Sequence, residues 1–199
     1  MLVVENLACV RQEQIIFSKL GFCLPDGAIL PLVGENGSGK SSLLKIIAGL
    51  LPAFSGTISW GGKEIKQPSD YNGEILYLGH NNAIKKESSV LAELQFWADI
   101  SGNWELWMVA ARYFGLEKYL DYPCAMLSAG WARRVALARL ITCPAKLWLL
   151  DEPVANLDAQ AVRLFMGLVQ SKIQSGGVVL MAAHGVIDAP ALCISDFGA

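Results

Sequence analysis

Gly34-Glu35-Asn36-Gly37-Ser38-Gly39-Lys40-Ser41 is the stretch on which the fold turns. It matches the phosphate-loop pattern G-x-x-x-x-G-K-[ST] in full, and its setting matters as much as its letters. Upstream, Ala28 to Val33 is a short apolar run that predicts a buried strand. Downstream, Ser41 to Leu51 carries apolar residues at helical spacing and stops before Pro52, so it predicts a helix. A glycine-rich turn between strand and helix lets successive backbone N–H groups point at phosphate oxygens, and the helix adds the positive end of its dipole. Lys40 is then expected to neutralise the β- and γ-phosphates of ATP and the Ser41 hydroxyl to ligate Mg²⁺, with Ser42 closing the loop. Pro31 interrupts the strand pattern, because proline donates nothing to a ladder; a bulge or a locally unpaired edge is expected there.

A second half of the same chemistry lies far downstream. Lys146-Leu147-Trp148-Leu149-Leu150-Asp151-Glu152-Pro153 reads as an apolar strand ending in two carboxylates. A buried strand delivers Asp151 to the carboxyl edge of the sheet, where ligands collect in open α/β folds. Asp151 is expected to hold Mg²⁺, directly or through water, and Glu152 to act as general base toward the attacking water. By itself, Asp-Glu-Pro after a strand describes an ordinary surface turn; the loop at Gly34 gives it a purpose.

Composition narrows the class. Hydrophobic residues make up 53% of 199 and charged residues 17%, yet no apolar run approaches the length of a bilayer span. No export signal is recognisable, so a cytosolic chain without a membrane span is expected, its surplus apolar surface covered by a second copy or a membrane partner. A net charge of −2 argues against a nucleic-acid footprint. Five widely spaced cysteines (Cys9, Cys23, Cys124, Cys143, Cys193) include no CxxC pair and are expected to be free, buried thiols.

Working outward, residues 2–10 and 15–24 predict two strands followed by a turn at Asp26-Gly27, with further strands at Gly56 to Trp60 and Glu74 to Leu78. The middle changes character. Ser89 can cap a helix running to about Ile100. Asn103 can cap another that puts Trp104, Trp107, Met108 and Ala111 on one face, a stripe better read as core packing than as a cofactor box. After this helical insert, at about 82–140, come a strand at Lys146 to Leu150, a helix from about Ala159 to Gln174 and a strand at Gly177 to Ala183. No repeat, low-complexity tract or linker is visible.

Leu127-Ser128-Ala129-Gly130-Trp131 resembles the LSGGQ signature of ABC ATPases and leads into Arg133-Arg134-Val135-Ala136-Leu137-Ala138-Arg139-Leu140, where that family has a helix. The order also agrees: signature, the Asp151-Glu152 strand, Asn156-Leu157-Asp158 as a D-loop, then His184 after the last strand. The resemblance implies an α/β fold: a P-loop NTPase (ABC ATPase) core of mixed sheet flanked by helices, a small N-terminal antiparallel β-subdomain and an inserted helical subdomain. It implies one ABC ATPase domain over 1–199, with about 1–81 and 141–199 as nucleotide-binding core and 82–140 as helical signature subdomain. It also implies a homodimer. Ser128 and the N–H groups around Gly130 open a helix and so form a second anion site. In ABC ATPases that site caps the γ-phosphate held by the other subunit, and Asp158 of the D-loop is a further candidate for nucleotide binding. His184 looks like the switch histidine that contacts the γ-phosphate and orients the water.

Three positions depart from the pattern. The Q-loop glutamine, a ligand of Mg²⁺ or its water, aligns with Asn81, one methylene shorter. The last signature position is Trp131 where glutamine is usual, and the N-terminal aromatic that stacks on adenine aligns with Arg11, whose guanidinium plane can also stack on a base.

The variant signature, the Arg133-Arg134 pair and Tyr77-Leu78-Gly79-His80-Asn81 resemble one subfamily, the ATP-binding subunits of cytochrome c maturation (haem exporter) complexes. That resemblance implies an ATP hydrolase at the cytoplasmic face of the bacterial inner membrane, partnered by an integral-membrane permease and handling haem at the expense of ATP. Two other readings stay open: the motor of another exporter, and an ATP-gated clamp that dimerises without turnover.

Overall fold

The computed structural model describes residues 1–182 and 190–197. The chain divides into two compact units: Met1–Tyr77, Lys146–Glu152 and Lys172–Ala199 in the first, Leu78–Ala145 and Pro153–Ser171 in the second. The second thus takes in 153–171, which the sequence reading placed with the nucleotide-binding core.

In chain order the elements are β1 (Leu2–Arg11), β2 (Gln14–Leu24), β3 (Ile29–Val33), α1 (Lys40–Ile47), β4 (Ser55–Trp60), β5 (Lys63–Glu64), β6 (Ile75–Leu78), α2 (Val90–Ile100), α3 (Leu106–Tyr113), α4 (Ala129–Leu137), α5 (Arg139–Thr142), β7 (Leu147–Asp151), α6 (Ala159–Gln174), β8 (Val178–Ala182) and β9 (Leu192–Cys193).

The core sheet and the antiparallel β-subdomain expected from the family are both present, as two sheets. One has the order β2-β1-β4-β5, with antiparallel pairings. The other has the order β6-β7-β8-β3-β9, in which β7, β8, β3 and β9 run parallel. All five residues of β7 and all five of β8 are buried, which is why both read as continuous apolar runs rather than alternating ones. A single core joins the sheets and α1: Leu2, Phe17 and Leu20 from the antiparallel sheet, Leu43, Leu44 and Ile47 from α1, and Leu147, Leu149, Val178 and Leu180 from the parallel one.

Pro31 makes no bulge. The register to β8 runs unbroken from Ile29 to Leu32. The Val179 amide donates to the Ala28 carbonyl at 3.0 Å. Backbone groups alternate sides along a strand, so Leu30 and Leu32 also face β8 while the missing donor of Pro31 faces the other way. On that side, among the described residues, β9 pairs only with Leu32 and Val33, so the second expectation, a locally unpaired edge, describes the site. The strand β9 itself had no sequence signal beyond two residues.

α1 ends earlier than Pro52 suggested. Gly49 adopts φ 72° and stops the helix, with its amide donating to the Ile46 carbonyl and the Leu50 amide to that of Lys45. This is the paired closure that a left-handed glycine permits.

In the second unit α2, α3, α4 and α5 pack on one another, burying Leu94, Ala98, Ala110, Phe114 and Val135. Ser89 caps α2 as expected, its Oγ accepting from the Ala92 amide at 3.2 Å. Asn103 does not cap α3. Its side-chain amide donates to the Ser101 carbonyl at 2.8 Å, and the helix begins three residues later behind Glu105, without a side-chain cap. Trp104 consequently lies outside the helix and is 56% exposed, so the expected stripe reduces to Trp107, Met108 and Ala111. The helix expected over 133–140 is interrupted at Ala138, between α4 and α5. The cysteines are free, but only Cys9 and Cys124 are buried; Cys23 is exposed. Among the described residues no helix is long and apolar enough to cross a membrane.

Candidate functional site

The first unit builds a phosphate cradle. β3 ends at Val33 and α1 begins at Lys40, so the loop between them is the full turn of the motif. Gly39 sits at the helix N-cap with φ 102°, and a Cβ there would lie 2.6 Å from a methyl group of Ile16. Only glycine satisfies both the left-handed backbone and the close approach of β2. No side chain caps α1, and no acidic residue occupies its first turn, which leaves that end of the helix open to an anion.

Lys40 is 5% exposed, and its ammonium donates to the carbonyls of Gly34 at 2.7 Å and Glu35 at 2.8 Å, so the charge is held over the loop. The Ser38 hydroxyl is buried without a hydrogen-bond partner. Such an orphan is costly in a finished core and suits a site meant for a polar guest.

β7 brings the carboxylates. Asp151 is 2% exposed at the strand's end, and the Ser41 hydroxyl donates to its Oδ1 at 2.9 Å although the two residues are 110 apart in sequence. A hydroxyl and a carboxylate oxygen side by side are the hard oxygen donors that Mg²⁺ prefers, so the pair fits that ion. Burial, with the Asp151 charge nearby, pushes the Tyr77 phenol up to about 12, so it stays protonated at neutral pH.

Glu152 follows with φ 50°, a conformation costing a non-glycine residue about 1–2 kcal/mol. It is held there as its amide donates to the Ala182 carbonyl at the end of β8, 3.1 Å away. Strain of this kind gathers at functional positions. Glu152, Lys40, Ser41, Ser42, Asn36, Gly37, Gly39, Arg11 and Ile16 together line a cleft of about 180 Å³. Arg11 therefore lines the same cleft as the loop residues. A larger hollow of about 390 Å³ in the same unit, lined by Leu7, Ile46, Leu51 and Ile65 among others, contains none of this chemistry.

The second unit holds a different half-site. Ser128 is the N-cap of α4, its Oγ accepting from the Trp131 amide at 3.4 Å. Gly130 is required by a neighbour: a Cβ there would stand 2.7 Å from the Asn156 carbonyl oxygen. Asp158 caps α6 from the other side of the same region. Its Oδ1 accepts from the Ala161 amide at 2.8 Å and its Oδ2 from Arg134 at 2.6 Å. The Ala161 amide and then the Arg134 guanidinium hold this carboxyl below its ordinary range. The segments that carry Gly130 and Asp158 thus meet, at the Asn156 carbonyl and at Arg134. Asn81 is exposed in this unit. His184 falls outside the described residues.

Arg133 and Arg134 matter more than the sequence suggested, where they served only as a mark of resemblance. Both are buried. Arg133 donates to the Pro153 carbonyl at 3.1 Å, the Gly79 carbonyl at 3.0 Å and the Asn82 Oδ1 at 3.0 Å. It thereby holds the segment that carries Asn81. Arg134 donates to the Phe114 carbonyl at 3.0 Å as well as to Asp158. The available signal was their position: two adjacent arginines inside an otherwise apolar helix have to be paired to be buried.

Comparison with known proteins agrees with this geometry. The family model described as ABC transporter matches residues 17–155. The cytochrome c biogenesis ATP-binding export protein CcmA of Dechloromonas aromatica is 43% identical over 196 residues, covering 96% of each chain. That of Wolbachia pipientis wMel is 40% identical over 185 residues, covering 92% of this chain and 89% of the relative. Among solved structures, a putative ABC transporter ATP-binding protein from Pyrococcus furiosus superposes with a TM-score of 0.85 at 22% identity, covering 100% of this chain and 99% of the other. The chain belongs to the ABC transporter family, as an ATP-binding subunit related to the cytochrome c biogenesis ATP-binding export proteins.

Proposed function

We propose that the chain is the ATP-hydrolysing motor of a haem-export, cytochrome c maturation complex, working as a homodimer with an integral-membrane permease at the cytoplasmic face of the bacterial inner membrane. The observation that carries the chemistry is the Ser41–Asp151 hydrogen bond at 2.9 Å, beside a cleft that Lys40 and Glu152 also line. The names of the relatives support the assignment to cytochrome c biogenesis.

In this reading the Gly34–Ser42 loop binds the triphosphate and Lys40 leaves the loop carbonyls for the β- and γ-phosphate oxygens. Ser41 and Asp151 would hold Mg²⁺, which would supply positive charge against the phosphate oxygens. Glu152 takes the proton of the attacking water. His184 orients that water from the γ-phosphate side. Arg11 lies against the base.

The cap comes from a second copy. The Ser128 hydroxyl, the amides at the start of α4 and Asp158 close over the γ-phosphate, so the nucleotide bridges two chains and its cleavage releases them. The domain division over 1–199 is part of the same proposal, with the core at about 1–81 and 141–199 carrying the loop and 82–140 the signature.

The test is phosphate release and light scattering on wild type and Glu152→Gln. Wild type releases phosphate; the variant stops release and accumulates an ATP-bound dimer. Unchanged turnover in the variant removes Glu152 from the role of base. ATP-driven dimerisation of wild type without phosphate release replaces the motor with a clamp.

A further inference from the structure

Trp131 stands at the signature position where a glutamine is usual, and its ring is already engaged within its own unit. The Tyr119 ring lies against it with centroids 4.4 Å apart and planes tilted by 44°. The Arg134 guanidinium carbon sits 4.4 Å from the indole centroid, within the range of a cation–π contact. That same guanidinium is 2.6 Å from Asp158 through Nη2, and its Nη1 is tied to the Phe114 carbonyl. Asp158 in turn caps α6. The series Tyr119, Trp131, Arg134, Asp158 is continuous from the signature helix to the D-loop.

A second contact joins the same two segments independently. The Asn156 carbonyl lies so close to Gly130 that a Cβ would stand 2.7 Å from it, and Asn156 itself has φ 62°. The signature turn and the D-loop therefore touch backbone to backbone at Gly130 and side chain to side chain at Arg134. Arg134 has a side-chain exposure of 7% against 62% for Asp158. The buried member is fixed from two sides, by the Phe114 carbonyl and by the indole face, and it presents its free edge to an exposed carboxylate. A flat aromatic over a guanidinium restricts the tilt of that plane while leaving its N–H groups free to donate in plane.

We propose that Trp131 is a positioning residue: its ring holds the Arg134 guanidinium in the plane that fixes Asp158, so that the signature turn and the D-loop move as one piece when the ATP-bound dimer closes. The role rests on the motor reading of the preceding section. It requires an aromatic ring at 131 and not an amide, so a return to the usual glutamine weakens this chain instead of improving it.

Two measurements test it on the full chain, with Trp131→Ala, Trp131→Phe and Trp131→Gln. The first is hydrogen exchange at the Ala161 amide, which reports whether Asp158 is held and needs no nucleotide. Exchange there speeds up about tenfold in the Ala and Gln variants and stays near wild type in the Phe variant. The second is ATP-dependent dimerisation in a Glu152→Gln background. It weakens about tenfold with Ala or Gln and recovers with Phe, while the affinity of the monomer for ATP stays constant within about twofold. Asp158→Asn added to Trp131→Ala produces no further loss, since both cut the same series. Unchanged Ala161 exchange in Trp131→Ala overturns the proposal, as does Trp131→Gln dimerising as tightly as its parent. Should Trp131→Ala fail to fold, the contrast between Phe and Gln decides alone. Should the Glu152→Gln parent form no ATP-dependent dimer, the motor reading falls, and Ala161 exchange still decides whether the ring holds the D-loop.

Discussion

The two half-sites are built by opposite means. The phosphate cradle of the first unit is a backbone object: a glycine at φ 102°, an uncapped helix start, and a lysine folded onto carbonyls five and six residues away. The signature half-site of the second unit is a side-chain object. Ser128 caps, Trp131 stacks, Arg133 and Arg134 reach acceptors 20 to 54 residues distant, and Asp158 closes the set. A backbone device tolerates few sequences, because sterics at Gly39 admit only one residue type. A side-chain device tolerates more, provided that the set is rebuilt together. Two of the three departures from the family pattern, Trp131 and Asn81, lie in the second unit; the third, Arg11, is a side chain of the first, where the loop from Gly34 to Ser41 matches in full.

The contrast can be broken or sharpened by substitution. The largest effect belongs to Glu152→Gln, which lowers phosphate release by about 10²–10⁴-fold, the usual contribution of a positioned general base, as read in a steady-state assay. Next, Lys40→Ala weakens ATP binding by more than about a hundredfold, since it removes the ammonium buried over the phosphate-loop motif. Equilibrium binding with a fluorescent nucleotide measures this, and retained tight binding would refute the cradle. Both changes act first on the chemistry of the cleft, although Lys40→Ala also removes the donor of the Gly34 and Glu35 carbonyls.

Arg133→Met does the reverse. It leaves the Pro153 and Gly79 carbonyls and the Asn82 side chain without their donor, at a cost of about 2–3 kcal/mol. Denaturant titration reads it, while ATP affinity at the first unit stays as it was. A loss confined to ATP binding would contradict the division between the halves.

The smallest effect is a pH dependence. The Asp158 carboxyl has a folded pKa below its unfolded value, so it favours the native state above about pH 4 and loses that contribution as pH falls through the folded value. Asp26 and Asp70 are depressed in the same direction, the first by Lys146 and the N-terminus, the second by the Lys66 and Gln67 amides. Melting temperature measured from pH 6 to pH 3 therefore falls in wild type, and falls less steeply in Asp158→Asn. Parallel curves would show that the Asp158 carboxylate's contacts with the Ala161 amide and Arg134 add nothing to stability.

Much of this molecule was legible beforehand, for reasons that differ by element. β7 and β8 could be read because strands buried on both faces have no alternation to confuse, only an apolar run and a carboxylate or a glycine at the end. α6 was placed at both ends, since its register is long and periodic. Asn103 misled because an asparagine before an apolar stripe offers a cap that the chain did not use; its amide found the Ser101 carbonyl first. β9 was invisible because two residues carry no period, and only its partner β3 defines it.

The expected chemistry at Gly34–Ser41 and Asp151-Glu152 could be read from adjacent letters, because phosphate binding depends on local backbone geometry and a strand's end. It takes the folded chain to bring Ser41 to Asp151 at 2.9 Å, to bury Arg133 and Arg134 as structural anchors, and to lay Trp131 against Arg134. Those are contacts between residues far apart along the chain, or rotamers chosen by packing, and neither follows from local preference. Such pairings become definite only when the whole core fixes where each side chain can go.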